Sequence, residues 1–127
     1  MRIAVLLAVA LTALTVPALA SRNPVVIRVD SVRSNQAGGA RFTQMNGFVD
    51  VLVLIGNTPL GASQPVKIYR GHCNMLAAQP LYALGNLSGG SLETPLKSTT
   101  LSELTFHQYS LVVYGASGTR VACGNII

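Results

Sequence analysis

Side chains that ligate metals or move protons are scarce in this chain. It holds two histidines, His72 and His107, and four carboxylates, Asp30, Asp50, Glu93 and Glu103. A catalytic zinc typically takes three protein ligands, and no spacing here gathers such a set. Thioether and imidazole suit copper ions, but nothing in the order of Met45, His72, Met75 and His107 makes them converge, and packing is the plainer reading. The four acids show no local signature of the paired carboxylates that glycoside hydrolysis uses. No serine sits in a nucleophile elbow. Gly38-Gly39 and Gly89-Gly90 read as turns, since neither pair precedes a helix that could cradle a phosphate. The chain also lacks internal repeats, charge blocks and low-complexity tracts. No cofactor is expected from this inventory.

Basic residues outnumber acidic ones without clustering. Beyond residue 20 the eight Lys and Arg are Arg22, Arg28, Arg33, Arg41, Lys67, Arg70, Lys97 and Arg120, against four acids. A nucleic-acid surface normally shows a basic stripe. Single cations with no aromatic interleaving read instead as solvated positions on strand faces, so no nucleic-acid partner is expected.

The first twenty residues have a character of their own. Met1-Arg2 supplies a positive start, Ile3 to Val16 an apolar run, and Pro17-Ala18-Leu19-Ala20 a small-residue end. This is the pattern of a cleavable signal peptide, with cleavage expected after Ala20. The apolar run is broken by Thr12, Thr15 and Pro17 and falls short of the roughly 20 residues of a spanning helix. No later segment approaches that length, so no membrane span is expected in the mature chain. Residues 1–20 are therefore read as an export leader and residues 21–127 as one domain, periplasmic or secreted.

Two cysteines, Cys73 and Cys123, lie in the exported part. In an oxidising compartment a lone pair usually bridges; two free thiols are the alternative. Asn86-Leu87-Ser88 fits the N-glycosylation sequon, which matters only in a eukaryotic secretory host.

The periodicity is that of strands. Val25, Ile27 and Val29 share one face of a first strand, and Ser34 to Gly39 has turn chemistry. A second strand is expected from about Ala40 to Met45, ended by the hairpin signal Asn46-Gly47. Val49, Val51, Val53 and Ile55 line one face of a third strand, and Leu52 and Leu54 on the other suggest that it is central or covered. Val66 to Arg70 makes a short strand, residues 74–80 are loose, and Leu81 to Leu87 make another strand. Leu92 to Ser98, broken by Pro95, suits an edge. Leu101 to Leu104 resembles a helical corner, and Tyr109 to Tyr114 and Thr119 to Ile126 end the set. Seven or eight short strands at this spacing predict an all-β, Greek-key antiparallel β-sandwich or barrel with one disulfide.

The run Tyr109-Ser110-Leu111-Val112-Val113-Tyr114-Gly115, followed by Arg120-Val121-Ala122-Cys123-Gly124, resembles the end of copper/zinc superoxide dismutases. There a Leu-Val-Val-His strand leads through a loop to Arg-Leu-Ala-Cys-Gly. Small exported dismutase-like and chordin-domain-like sandwich proteins share this ending. Ile68-Tyr69-Arg70-Gly71-His72-Cys73, Gly90-Ser91-Leu92-Glu93-Thr94 and Leu101-Ser102-Glu103-Leu104 are similar to further segments of that family. The likeness covers about residues 45–126. It implies a Cys73–Cys123 disulfide and matches Arg120 to the family's anion-guiding arginine; a structural arginine bonded to loop carbonyls is the plainer role.

The family's metal ligands do not carry over. Lys67, Tyr69 and Tyr114 stand at positions that match copper histidines, and residues 74–80 contain neither the histidines nor the aspartate of a zinc loop. A lysine ammonium repels a cation and offers it no lone pair. Tyr69, Tyr109 and Tyr114 are candidates to cluster with Lys67 on the former copper face, or simply to fill a vacated pocket. The resemblance thus implies a non-catalytic exported module that binds an unknown protein or small ligand at its surface, or serves the envelope structurally. The alternative is a degenerate dismutase with residual copper binding or superoxide handling.

Overall fold

Alternation of apolar and polar residues places one row of each strand in a common core. The computed structural model describes residues 23–126; the proposed leader, residues 1–20, lies outside them. Eight strands and one short helix follow in the order β1 (Val25–Ser31), β2 (Ala37–Gln44), β3 (Val49–Gly56), β4 (Gln64–Arg70), β5 (Pro80–Leu87), β6 (Ser91–Leu96), α1 (Leu101–Phe106), β7 (Tyr109–Tyr114) and β8 (Arg120–Ile126). In β3 the predicted row Val49, Val51, Val53 and Ile55 is buried. Ile27 and Val29 of β1, Ala40 and Phe42 of β2, Val66 and Ile68 of β4, and Leu111 and Val113 of β7 meet it in one cluster.

All paired neighbours are antiparallel, in the order β5-β4-β7-β8-β1-β2-β3-β6. The two ends of this order come together where β5 turns into β6, with a bridge between Ser88 and Ser91. β4 leads through the segment 71–79 to β5, β5 leads through a short turn to β6, and β7 then returns over a long link to pair with β4. Three successive strands with a fourth beside the first make the Greek-key arrangement, in a nearly closed barrel. β6, the strand with Pro95, pairs only with β3. It is the expected edge, where a missing N–H leaves no partner short.

Two local devices hold the links. In the β2–β3 hairpin Gly47 adopts φ 90°, and the Met45 N–H donates to the Phe48 carbonyl at 2.8 Å. In the β6–β7 crossover the Thr100 hydroxyl caps α1 by accepting from the Glu103 N–H at 3.1 Å. Leu104 then plugs the core with no exposed surface. Inside the barrel the Gln64 amide donates to Gln36 Oε1 at 2.6 Å and to the Tyr114 carbonyl at 3.2 Å. That satisfies two buried amides, which unpaired would each cost about 1–3 kcal/mol.

One expectation is corrected. The pair Gly38-Gly39 is not a turn: it lies within β2, which starts at Ala37. A Cβ on Gly38 would stand 1.9 Å from the Leu54 carbonyl oxygen, so glycine is required there by close approach of β3 rather than by chain reversal. For Leu52 and Leu54 the strand order favours the first of the two expected readings, a central strand, over a covered one. β3 is central in its sheet, between β2 and β6, and Leu54 keeps 53% of its surface exposed.

Cys73 and Cys123 are bonded, with Cα atoms 6.0 Å apart and a sequence separation of 50. In the chain-entropy model a closed loop of that length removes about 4 kcal/mol of unfolded-state freedom. A Cys73→Ser, Cys123→Ser double variant is therefore expected to lose about 4 kcal/mol of stability, read as a lower midpoint in urea with the all-β circular dichroism spectrum retained.

Candidate functional site

β4 and β7 each send alternate side chains away from the barrel core, and there a smaller second cluster forms. Tyr69, Val112 and Cys123 are its buried members, packed by Val32, Cys73, Leu76 and Tyr114. Its cover is the segment after β4. Gly71 takes φ 97° where a Cβ would meet the Met75 carbonyl oxygen at 2.2 Å, so the chain turns sharply there. The Met75 N–H donates to the His72 carbonyl at 2.9 Å, and the Ala77 N–H returns to the Arg70 carbonyl at 2.9 Å. Asn125 Oδ1 accepts from the Cys73 N–H at 2.8 Å, and the buried Ser110 hydroxyl lies 2.7 Å from the Gly71 carbonyl oxygen. Together with the disulfide these bonds fix the cover to β7 and β8.

Tyr69 pairs with Ser110 in the β4–β7 register, and Tyr114 stands four residues farther along β7. Both rings pack on Val112 and their hydroxyls meet at 2.5 Å. The Lys67 ammonium stands 5.4 Å from the centre of the Tyr114 ring, and the Arg120 guanidinium 5.8 Å from that of Tyr69. Both distances lie within the reach of a cation–π attraction. Burial, then the hydrogen bond and charge of Tyr114, push the Tyr69 hydroxyl up from 10.0 to about 12, against the opposing pull of Arg120.

Lys67, Tyr69, Tyr114 and Arg120 are thus brought together beside the disulfide. Arg120 makes no hydrogen bond to a loop carbonyl among the described residues; its guanidinium lies on Tyr69 instead. Tyr109 does not join them. It belongs to the main core and packs near His107, ring centres 5.7 Å apart. His107 in turn stands 3.4 Å from Glu103. Met45, the His72–Met75 turn and His107 lie on three separate segments. No three His, Cys, Asp or Glu side chains gather among the described residues. At the copper-matching positions the two hydroxyls bind each other and the ammonium rests on a ring, so this donor set does not suit copper or zinc.

Tyr69, Tyr114 and Arg120 line a cavity of about 810 Å³, with Arg33 and Val32 from the end of β1 and Thr119 from the β7–β8 turn among its other walls. No carboxylate is among its lining residues. The nearest on β1, Asp30, is engaged by Arg28 at 3.4 Å. A second hollow of about 460 Å³, at Asn23, Gln44 and Thr100 to Ser102, has no charged group among the described residues on its wall. Arg33 is the site residue that the sequence did not reveal. It lies next to Arg120 only because β1 pairs with β8, Ser31 opposite Ala122 and the Val32 N–H on the Val121 carbonyl at 2.9 Å.

No family model, curated protein or solved structure matches the chain.

The raised Tyr69 carries a testable pH dependence. Because its proton is held more tightly when folded, its contribution to stability is complete below pH 10 and disappears as pH rises through about 12. Absorbance titration at phenolate wavelengths should show one tyrosine ionising near pH 12, absent in Tyr69→Phe. In Tyr114→Phe that transition should move down toward 10.0, the ordinary value.

Proposed function

We propose that this protein is a non-catalytic, exported domain akin to the copper/zinc superoxide dismutase sandwich, acting as a binding or envelope-associated module. Its binding surface is the cavity beside the disulfide, and its ligand is a small molecule bearing carboxylate or phosphate groups. The observation that carries this reading is the wall of that cavity, with Arg33 and Arg120 facing it and no opposing carboxylate. Guanidinium groups recognise carboxylate and phosphate through paired N–H donors. The Thr119 side chain and the tyrosine hydroxyls add neutral hydrogen-bonding capacity around them. Export is supported by the leader pattern of residues 1–20, and the bonded cysteines suit an oxidising compartment.

Titration calorimetry at low salt with citrate, inorganic phosphate and neutral glycerol tests the proposal. Citrate binding is expected, weaker phosphate binding, and none for glycerol. Arg33→Ala and Arg120→Ala should each weaken citrate about tenfold, the scale of one lost charge-assisted hydrogen bond. Citrate binding untouched by both substitutions would move the site elsewhere. Native mass spectrometry after dialysis against Cu(I), Cu(II) and Zn(II) addresses the degenerate-dismutase alternative: one metal retained per chain would replace the present reading with it.

A further inference from the structure

The cavity beside the disulfide uses one side of the barrel. The opposite side, formed by the outer face of β1, β2, β3 and β6, has no cover among the described residues, and its composition is ordered. Register places Val26, Arg41, Leu52 and Glu93 in one row across the four strands, and Arg28, Gly39, Leu54 and Ser91 in the next. Asp50 follows on β3, opposite Pro95 of β6. The outward cations lie on β1 and β2, and the unpaired anions of the same face, Asp50 and Glu93, on β3 and β6, with apolar side chains between; Asp30, also outward on β1, is taken up by Arg28. Val26 is 68% exposed and Leu54 53%. Around Gly39, where a strand residue lacks its side chain, Val26, Leu52 and Leu54 border a hollow of about 310 Å³.

We infer that this face binds a second copy of the same chain. A two-fold axis lying in the interface parallel to the strands sets β1 and β2 of one copy over β3 and β6 of the other. The row containing Gly39 then opposes itself in reverse, so Leu54 enters the hollow over Gly39 of the partner subunit, and reciprocally. The same operation brings the Arg41 side to the Glu93 and Asp50 side, twice over. None of Arg41, Asp50 and Glu93 has an ion pair within the chain among the described residues, whereas Arg28 is already held by Asp30. An isologous contact needs a self-complementary patch, and this face is complementary to itself in both shape and charge. A perpendicular in-plane axis would instead lay cation strands on cation strands.

Four strands at about 4.8 Å spacing offer a face of roughly 15 by 20 Å. That is below the size class of about 800 Å² per partner, so the dimer is a weak one, dissociating in the micromolar range and strengthened at low salt.

Sedimentation equilibrium of the purified chain tests this. A monomer–dimer equilibrium is expected, and a monomer up to several hundred micromolar would overturn the inference. Leu54→Asp should raise the dissociation constant at least about a hundredfold, while Met75→Asp, on the turn after β4, should leave it unchanged. Equal dimerisation of Leu54→Asp and the parent chain would also overturn it, since the contact would then lie elsewhere. Charge exchange makes the test independent of fold damage. Arg41→Glu and Glu93→Arg should each weaken self-association, and an equimolar mixture should form mixed dimers, because each altered side chain then meets its opposite sign. Failure of the mixture to associate more strongly than either variant alone would rule out the proposed axis.

Discussion

The bond between Cys73 and Cys123 is the constraint on which the candidate site depends. Without it the segment after β4 has a few main-chain bonds and little apolar area to hold it against the sheet. With it, Leu76 and Cys73 stay over Val112, and β7 becomes a strand buried on both faces. That double burial accounts for the unbroken apolar run Leu111, Val112 and Val113, which alternation alone would not produce. It also removes Tyr69 from water, so the phenol stays protonated and hydrogen-bonded to Tyr114. The chemistry of the cavity follows from a cover segment pinned at one point.

The two outer faces of the barrel are therefore unequal. One carries a second, smaller core and a cavity whose charged walls are basic. The other carries exposed aliphatic side chains between charges of both signs, with a glycine where a side chain would fill the centre. Exposed apolar residues scattered singly need no explanation. Here they share adjacent rows of one face, and the unpaired charges around them, Arg41 on β2 against Asp50 and Glu93 on β3 and β6, lie on separate strands, which is the pattern of a surface that meets another surface. A ligand cavity on one side and a self-association face on the other are compatible, because the proposed axis leaves the disulfide side open.

Strand periodicity was legible because it is local: Val49 to Ile55 alternate whatever their neighbours are, and the Asn46-Gly47 turn follows from one dipeptide. The misreading arose where a local signal had a tertiary cause. Gly38-Gly39 carries the composition of a turn, but glycine is needed there because the Leu54 carbonyl approaches within the space of a Cβ. Leu52 and Leu54 suit a strand that is central or covered, and only the strand order decides for central. The grouping of Lys67, Tyr69 and Tyr114 was partly visible from their strand parity. Tyr109 has the same type but the opposite parity to Tyr114's partner row, and it points to the core. Arg33 could not be found from sequence at all, since its place at the cavity depends on which strand lies beside β8.

The protonation state of Tyr69 bears on what the cavity offers a ligand. A general base or acid works best with a pKa near the working pH, because both proton-holding states must be accessible. Tyr69, at about 12, remains a neutral phenol across the physiological range: it donates or accepts a hydrogen bond and does not take up a proton. Arg33 and Arg120 are permanently charged for the same purposes. Neither a histidine nor a carboxylate lines this cavity. Such a set provides fixed positive charge and oriented dipoles at no change of its own protonation, which suits the proposed anion.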